Sequence, residues 1–140
     1  MKAPAILAAS AMALAAWTGA AGASSAPRLY TAQQAQEGAR VYVVRCAVCH
    51  GTRLEGSADI PGLTGRFVAN WAGRPVADLF DYVGQAMPQS APGSLSAQDN
   101  ARLTAYILQA NGYTAGEMPL PAEAARLRRV LPAPGMDALR

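Results

Sequence analysis

The sequence predicts an all-α domain of three to five helices joined by long loops. Three observations carry this. Apolar residues recur at helical spacing in several segments, two of those segments open on a capping signature, and no stretch alternates long enough for a strand. The first predicted helix starts at Thr31-Ala-Gln-Gln34, a hydroxyl followed three residues later by an amide. Ala35, Ala39, Tyr42, Val43 and Cys46 then carry the helical period into the segment CAVCHG at 46–51. Residues 51–66, GTRLEGSADIPGLTGR, hold glycines, a proline and no sustained period, and are predicted as loop. FVANW at 67–71 has room for one or two helical turns before Gly73-Arg74-Pro75 breaks the chain. Val76, Leu79, Phe80 and Val83 mark the next helix, which should end near Met87 because Pro88 disfavours helix in the residue before it. After the loop PQSAPGSLS (88–96), Ser96-Ala-Gln-Asp99 caps another helix. Its apolar face is Leu103, Tyr106, Ile107 and Ala110, and Asn111-Gly112 stops it. TAGEMPLP reads as a linker and AEAARLRRVL as a short terminal helix. Loops this long in so small a domain imply that something besides side chains fills its middle.

The chain has 140 residues. Its start reads as a secretory leader: basic Lys2, an apolar run over 5–17, and Ala21-Gly22-Ala23 matching the small-x-small cleavage rule, so that Ser24 would lead the mature chain. The run is shorter than the ~18–20 residues a membrane span needs, which favours cleavage over anchoring. Export to the periplasm is therefore expected. The expected organisation is a leader (1–23), a short lead-in (24–30), one domain (31–113) and a C-terminal tail (114–140). Lys2 is the only lysine. Cations and anions balance between Pro27 and Met118, and the excess lies in Arg126, Arg128, Arg129 and Arg140. No clustered basic face speaks for nucleic acid.

Cys46, Cys49 and His50 are every cysteine and the only histidine of the chain. A disulfide would suit an exported protein, but a bridge over so few residues constrains almost no loop. A redox-active pair of the thioredoxin kind would need a strand and a parallel sheet. Structural zinc takes four ligands, and only three Cys or His are present. Covalent haem attachment uses all three residues at once. Two thiols three residues apart on a helical turn can add to the two vinyl groups of a porphyrin, and the next residue, an imidazole, can bind its iron.

A second iron ligand cannot be another histidine of this chain. Methionine is the usual alternative, and Met87, Met118 and Met136 remain once the leader is gone. Met87 is the expected ligand, because it stands where a helix ends against Pro88.

Between Thr31 and Tyr113 the sequence resembles the class I c-type cytochromes. The shared tokens, in order, are Gly38 and Tyr42 in the first helix, CAVCHG, then Pro61, Leu63 and Gly65, then Met87-Pro88, and Tyr106-Ile107-Leu108 in the last helix. The resemblance implies a cytochrome c fold around one covalent haem c. Cys46 and Cys49 would form the thioethers, with His50 and Met87 on the iron. It further implies that Pro61 offers its carbonyl to the imidazole, that Gly38 admits the last helix near Tyr106, and that Trp71 and Arg74 hold a haem propionate. A ring of docking lysines, common in the family, is missing here; arginines at 45, 53, 66 and 74 are the available substitutes.

The expected role is that of a single-haem, one-electron carrier rather than an enzyme, exchanging electrons with a redox protein donor and acceptor. The segment from Trp71 to Ser96 is similar to small cytochromes that accompany exported dehydrogenases, including quinoprotein ones. A dedicated dehydrogenase subunit is thus the alternative, with the tail's Leu120, Leu127, Val130 and Leu131 either docking to the partner or packing on their own domain. A sensor or peroxidase with a labile distal ligand is a third reading.

Overall fold

The computed structural model describes residues 28–71 and 74–130. The leader, its cleavage site, Met136 and Arg140 lie outside them. Among the described residues six helical segments follow one another: α1 (Ala32–Arg45), α2 (Ala47–His50), α3 (Arg66–Trp71), α4 (Val76–Ala86), α5 (Ala97–Ala110) and α6 (Ala124–Val130). With α2 taken as the continuation of α1 past a bend, this is a five-helix, all-α fold. Among the described residues the only β-type pairing is an isolated parallel bridge between Thr31 and Gly116.

Both expected caps form. Thr31 Oγ1 accepts the amide of Gln34 at 3.1 Å, and Ser96 Oγ accepts that of Asp99 at 3.0 Å. The other half of the first capping box does not close, because the Gln34 side chain is spent elsewhere. Its amide donates to the Leu120 carbonyl at 2.9 Å, and its oxygen accepts the Leu120 amide at 2.7 Å. The first helix also bends sooner than its period suggests. Cys46 leaves the helical region (φ −127°), and a fresh turn begins there, with the amides of Cys49 and His50 both on its carbonyl. The bend brings the Gly51 carbonyl under the Tyr42 hydroxyl, which donates to it at 2.6 Å.

The frame of the domain is the crossing of α1 over α5. A Cβ on Gly38 would sit 1.9 Å from the Arg102 carbonyl oxygen and 2.9 Å from the Tyr106 Cβ, so at this point only glycine lets the two backbones meet. The Tyr42 and Tyr106 rings meet beside the contact at 5.3 Å. At its rim Arg102 reaches Glu37 at 2.8 Å and Asp99 at 3.1 Å. α4 lies against α5, tied by the Asn100 amide, which donates to the Phe80 carbonyl at 2.8 Å.

The segments read from sequence as a lead-in, a linker and a tail meet in the core. Leu29, Tyr30, Leu120 and Leu127 are all buried in the main cluster. The Gly116 amide donates to the Tyr30 carbonyl at 2.6 Å, the Tyr30 hydroxyl donates to the Tyr113 carbonyl, and α6 packs on α4. No helix among the described residues is long and apolar enough to cross a membrane.

Candidate haem site

The apolar interior is divided. The larger cluster holds Tyr30, Trp71, Leu79, Phe80, Val83, Ile107 and Leu108, among others. The smaller is Tyr42, Leu54 and Leu103, with Cys46 and Ala47 against it. Leu63 and Leu95 are only partly buried and touch both. Phe67 and Met87, also partly buried, border the larger cluster, and Tyr106 borders the smaller. Apolar side chains left half-covered along such a seam are incompletely packed by protein alone.

The CAVCH turn stands beside the smaller cluster. Cys46 is half-buried and Cys49 exposed, and the two sulfurs are not joined. Burial pushes the Cys46 thiol up, with the nearby Arg45 guanidinium opposing. His50 Nδ1 lies 2.9 Å from the Pro61 carbonyl oxygen. A carbonyl can only accept, so Nδ1 carries the proton and Nε2 is left bare as a donor to a metal.

The loop after the turn is folded so as to deliver that carbonyl. The Gly56 amide donates to the His50 carbonyl at 2.8 Å, and the Leu63 and Leu54 backbones pair at 2.8 Å. Gly56 has φ +72°, and a Cβ there would come within 2.7 Å of the Pro61 carbonyl carbon. Glu55 braces the same turn. Its carboxylate accepts the Arg53 amide at 2.7 Å, and its own and the Arg53 backbone N–H hold it below the usual carboxylate range. Tyr42, under the turn, is pushed up to about 12, first by burial and then by the neighbouring Cys46, Tyr106 and Glu55.

Met87 caps the C-terminus of α4, its amide donating to the Val83 carbonyl at 3.1 Å, with a half-buried side chain against the larger cluster. Met118 is 72% exposed. Trp71 is buried, with the Phe67 and Tyr82 rings beside it and the Arg74 guanidinium 4.6 Å over its face; Arg74 also reaches Asp78 at 3.4 Å. The structure thus brings His50 to Pro61 and Trp71 to Arg74. It sets Cys46 and Met87 against different clusters that share Leu63 and Leu95.

Two contributors escaped the sequence reading. Asn111, read only as a helix stop, donates its side-chain amide to the Leu63 carbonyl at 2.9 Å and so fixes one of the two shared leucines. Arg45 donates to Ser94 Oγ at 2.6 Å, tying the CAVCH side to the loop that carries Leu95. Neither link leaves a periodic trace in sequence.

Residues 33–107, more than half of the chain, match the family described as cytochrome c oxidase, cbb3-type, subunit III. The chain belongs to this family: it is a class I c-type cytochrome. Among solved structures it is similar to the sulfane dehydrogenase SoxCD from Paracoccus pantotrophus. The identity is 28%, the TM-score 0.48, and the match covers 56% of this chain and 43% of that one. The chain therefore spans less than half the length of the solved chain it matches. No curated protein matches it.

The residues of this cytochrome fit the haem that its family carries. Two unjoined thiols and an imidazole of fixed tautomer share one turn, and partly covered apolar side chains line the seam nearby. A haem-bearing electron-transfer domain follows from the family.

Proposed function

We propose that the protein is an exported cytochrome that carries one electron at a time on a single covalent haem c. Cys46 and Cys49 supply the thioethers, His50 the proximal ligand and Met87 the distal one. The observation that carries this is the 2.9 Å contact between His50 Nδ1 and the Pro61 carbonyl, placed within the only Cys-x-x-Cys-His turn of the chain. Bound haem supplies a reversible one-electron couple at iron, favoured toward the reduced state by a thioether ligand.

The chain's own residues do the rest. Pro61 holds the imidazole in one tautomer and adds to its basicity. Leu63, Leu95 and Phe67 exclude water from the seam, lowering the local dielectric around the iron charge. Trp71 and Arg74, with the guanidinium 4.6 Å from the ring centre, bring an indole and a guanidinium together, donors of the kind that suit a propionate. With His50 and Met87 both holding the iron, no position on it would be left for substrate. The task is then electron exchange between a donor and an acceptor protein in the periplasm.

Mass and optical spectra of protein made with c-type maturation factors test this. One haem resistant to acid–acetone extraction, with the far-red Fe–S(Met) band in the oxidised form and its loss in Met87→Ala, is expected. Colourless protein or extractable haem rejects covalent attachment. A bound haem whose far-red band is absent in the parent protein rejects Met87 and favours the sensor or peroxidase reading.

A further inference from the structure

We propose that the C-terminal segment, residues 116–130, is a positioning element for Met87, acting through α4. This rests on the assignment of His50 and Met87 as the iron ligands. A thioether is a neutral, soft donor. Unlike the imidazole, bonded to Pro61, its place is set mainly by where the end of α4 puts it. Met87 follows α4 directly, its amide still bonded to the last turn at Val83.

α4 packs Val76, Ala77, Leu79, Phe80 and Val83 into the main cluster, so its position is set by the neighbours it packs on. Its N-cap is Pro75, which gives no side-chain cap. It is gripped instead from two sides. From α5, Asn100 holds the Phe80 carbonyl. From α6, Leu127, fully buried, joins the cluster that contains Phe80 and Val83, and Arg128 pairs with Asp81 on α4. Met87 borders that same cluster.

α6 is in turn tied to the opposite side of the domain. The reciprocal bonds between Gln34 and Leu120, the Gly116–Tyr30 backbone bond and the Tyr30 hydroxyl on Tyr113 fasten the segment to the start of α1. These bonds are buried and join residues more than eighty positions apart, so they resist local fraying. The segment runs as a strap from α1 to α4, and the thioether sits at the end of the helix it clamps. A cavity under α4 lets that helix settle and lengthens or misdirects the methionine.

The test is competition for the distal position. Added imidazole displaces the thioether from oxidised holoprotein, and the far-red band reports its loss. Leu127→Ala is expected to bind imidazole about tenfold more tightly and to have a lower midpoint potential. Arg128→Ala, at an exposed pair, should shift both in the same direction by about twofold. Leu127→Met should restore parental values. Arg102→Ala, which breaks the ion pairs at the α1–α5 crossing, should lower the melting temperature and leave imidazole affinity unchanged. If Leu127→Ala lowers the melting temperature with parental imidazole affinity and potential, α6 is only structural. Should that variant fail to fold, unchanged affinity in Arg128→Ala overturns the proposal equally. A parent protein without the far-red band removes the ligand assignment itself, and this proposal with it.

Discussion

The α1–α5 crossing and the loops that flank the CAVCH turn and Met87 are built on different terms. At the crossing, contacts are direct and closed: Gly38 on the Arg102 backbone, Tyr42 on Tyr106, and Arg102 between two carboxylates. On the other side, loop 51–65 and the stretch after Met87 are held by separate hydrogen bonds, some between backbone groups and some from the side chains of Tyr42, Glu55, Asn111 and Arg45. Leu63 in the loop, Leu95 in the later stretch and the neighbouring Phe67 and Met87 remain only partly buried. The crossing is complete as protein. The loop side leaves apolar side chains half-covered.

The strongest way to break this contrast is at Gly38. Gly38→Ala forces a methyl into a backbone carbonyl, and overpacking against backbone costs about 3 kcal/mol. Denaturant unfolding should show that loss, because the methyl meets a backbone carbonyl that no side-chain rotation can move aside. Gly56→Ala is the matching change in the loop. Residue 56 has positive φ and Pro61 close by, so about 1–2 kcal/mol is lost. In addition, the His50–Pro61 bond lengthens and the midpoint potential moves, which Gly38→Ala should not cause. A parental potential in Gly56→Ala would mean that the loop does not govern the imidazole. Smaller still is Tyr42→Phe. The lost hydroxyl leaves the Gly51 carbonyl without its 2.6 Å partner and costs about 1 kcal/mol, read from chemical denaturation.

The two regions differ in legibility as well. Helix starts at Thr31 and Ser96, the stop at Asn111-Gly112, and the CAVCH turn rest on residues within a few positions of one another, so spacing alone reveals them. Gly38 was readable through resemblance, since a glycine inside a helix has several explanations until its neighbour across the crossing is known. What stayed hidden is contact at long separation. Gln34 looks like a capping residue and serves a backbone 86 positions away. For Leu120 and Leu127 the sequence leaves docking to a partner and packing on their own domain both open, and the structure buries both in the core. The division of the interior into two clusters leaves no mark in sequence either, because the same leucines would suit one continuous core.

The smallest expected effect, and the sharpest regional reporter, is acid titration. Glu37, at the crossing, is held below the ordinary carboxylate value by the Gln33 amide first and then by Arg102. Glu55, in the loop, is lowered by its own and the Arg53 backbone N–H. In both cases the folded protein binds the proton less readily than the unfolded chain. Stability from each carboxylate is therefore fully present above the unfolded value, near 4.5, and is lost as pH falls through the lower folded value. Glu37→Gln and Glu55→Gln should each flatten the fall of melting temperature below about pH 4.5. Amide exchange distinguishes them. Acid should release the facing amides of α1 and α5 through Glu37, and the amides of Arg53 and Gly56 through Glu55. If Glu55→Gln instead alters acid exchange along α5, the loop and the crossing unfold as one unit, and the division between crossing and loops does not hold.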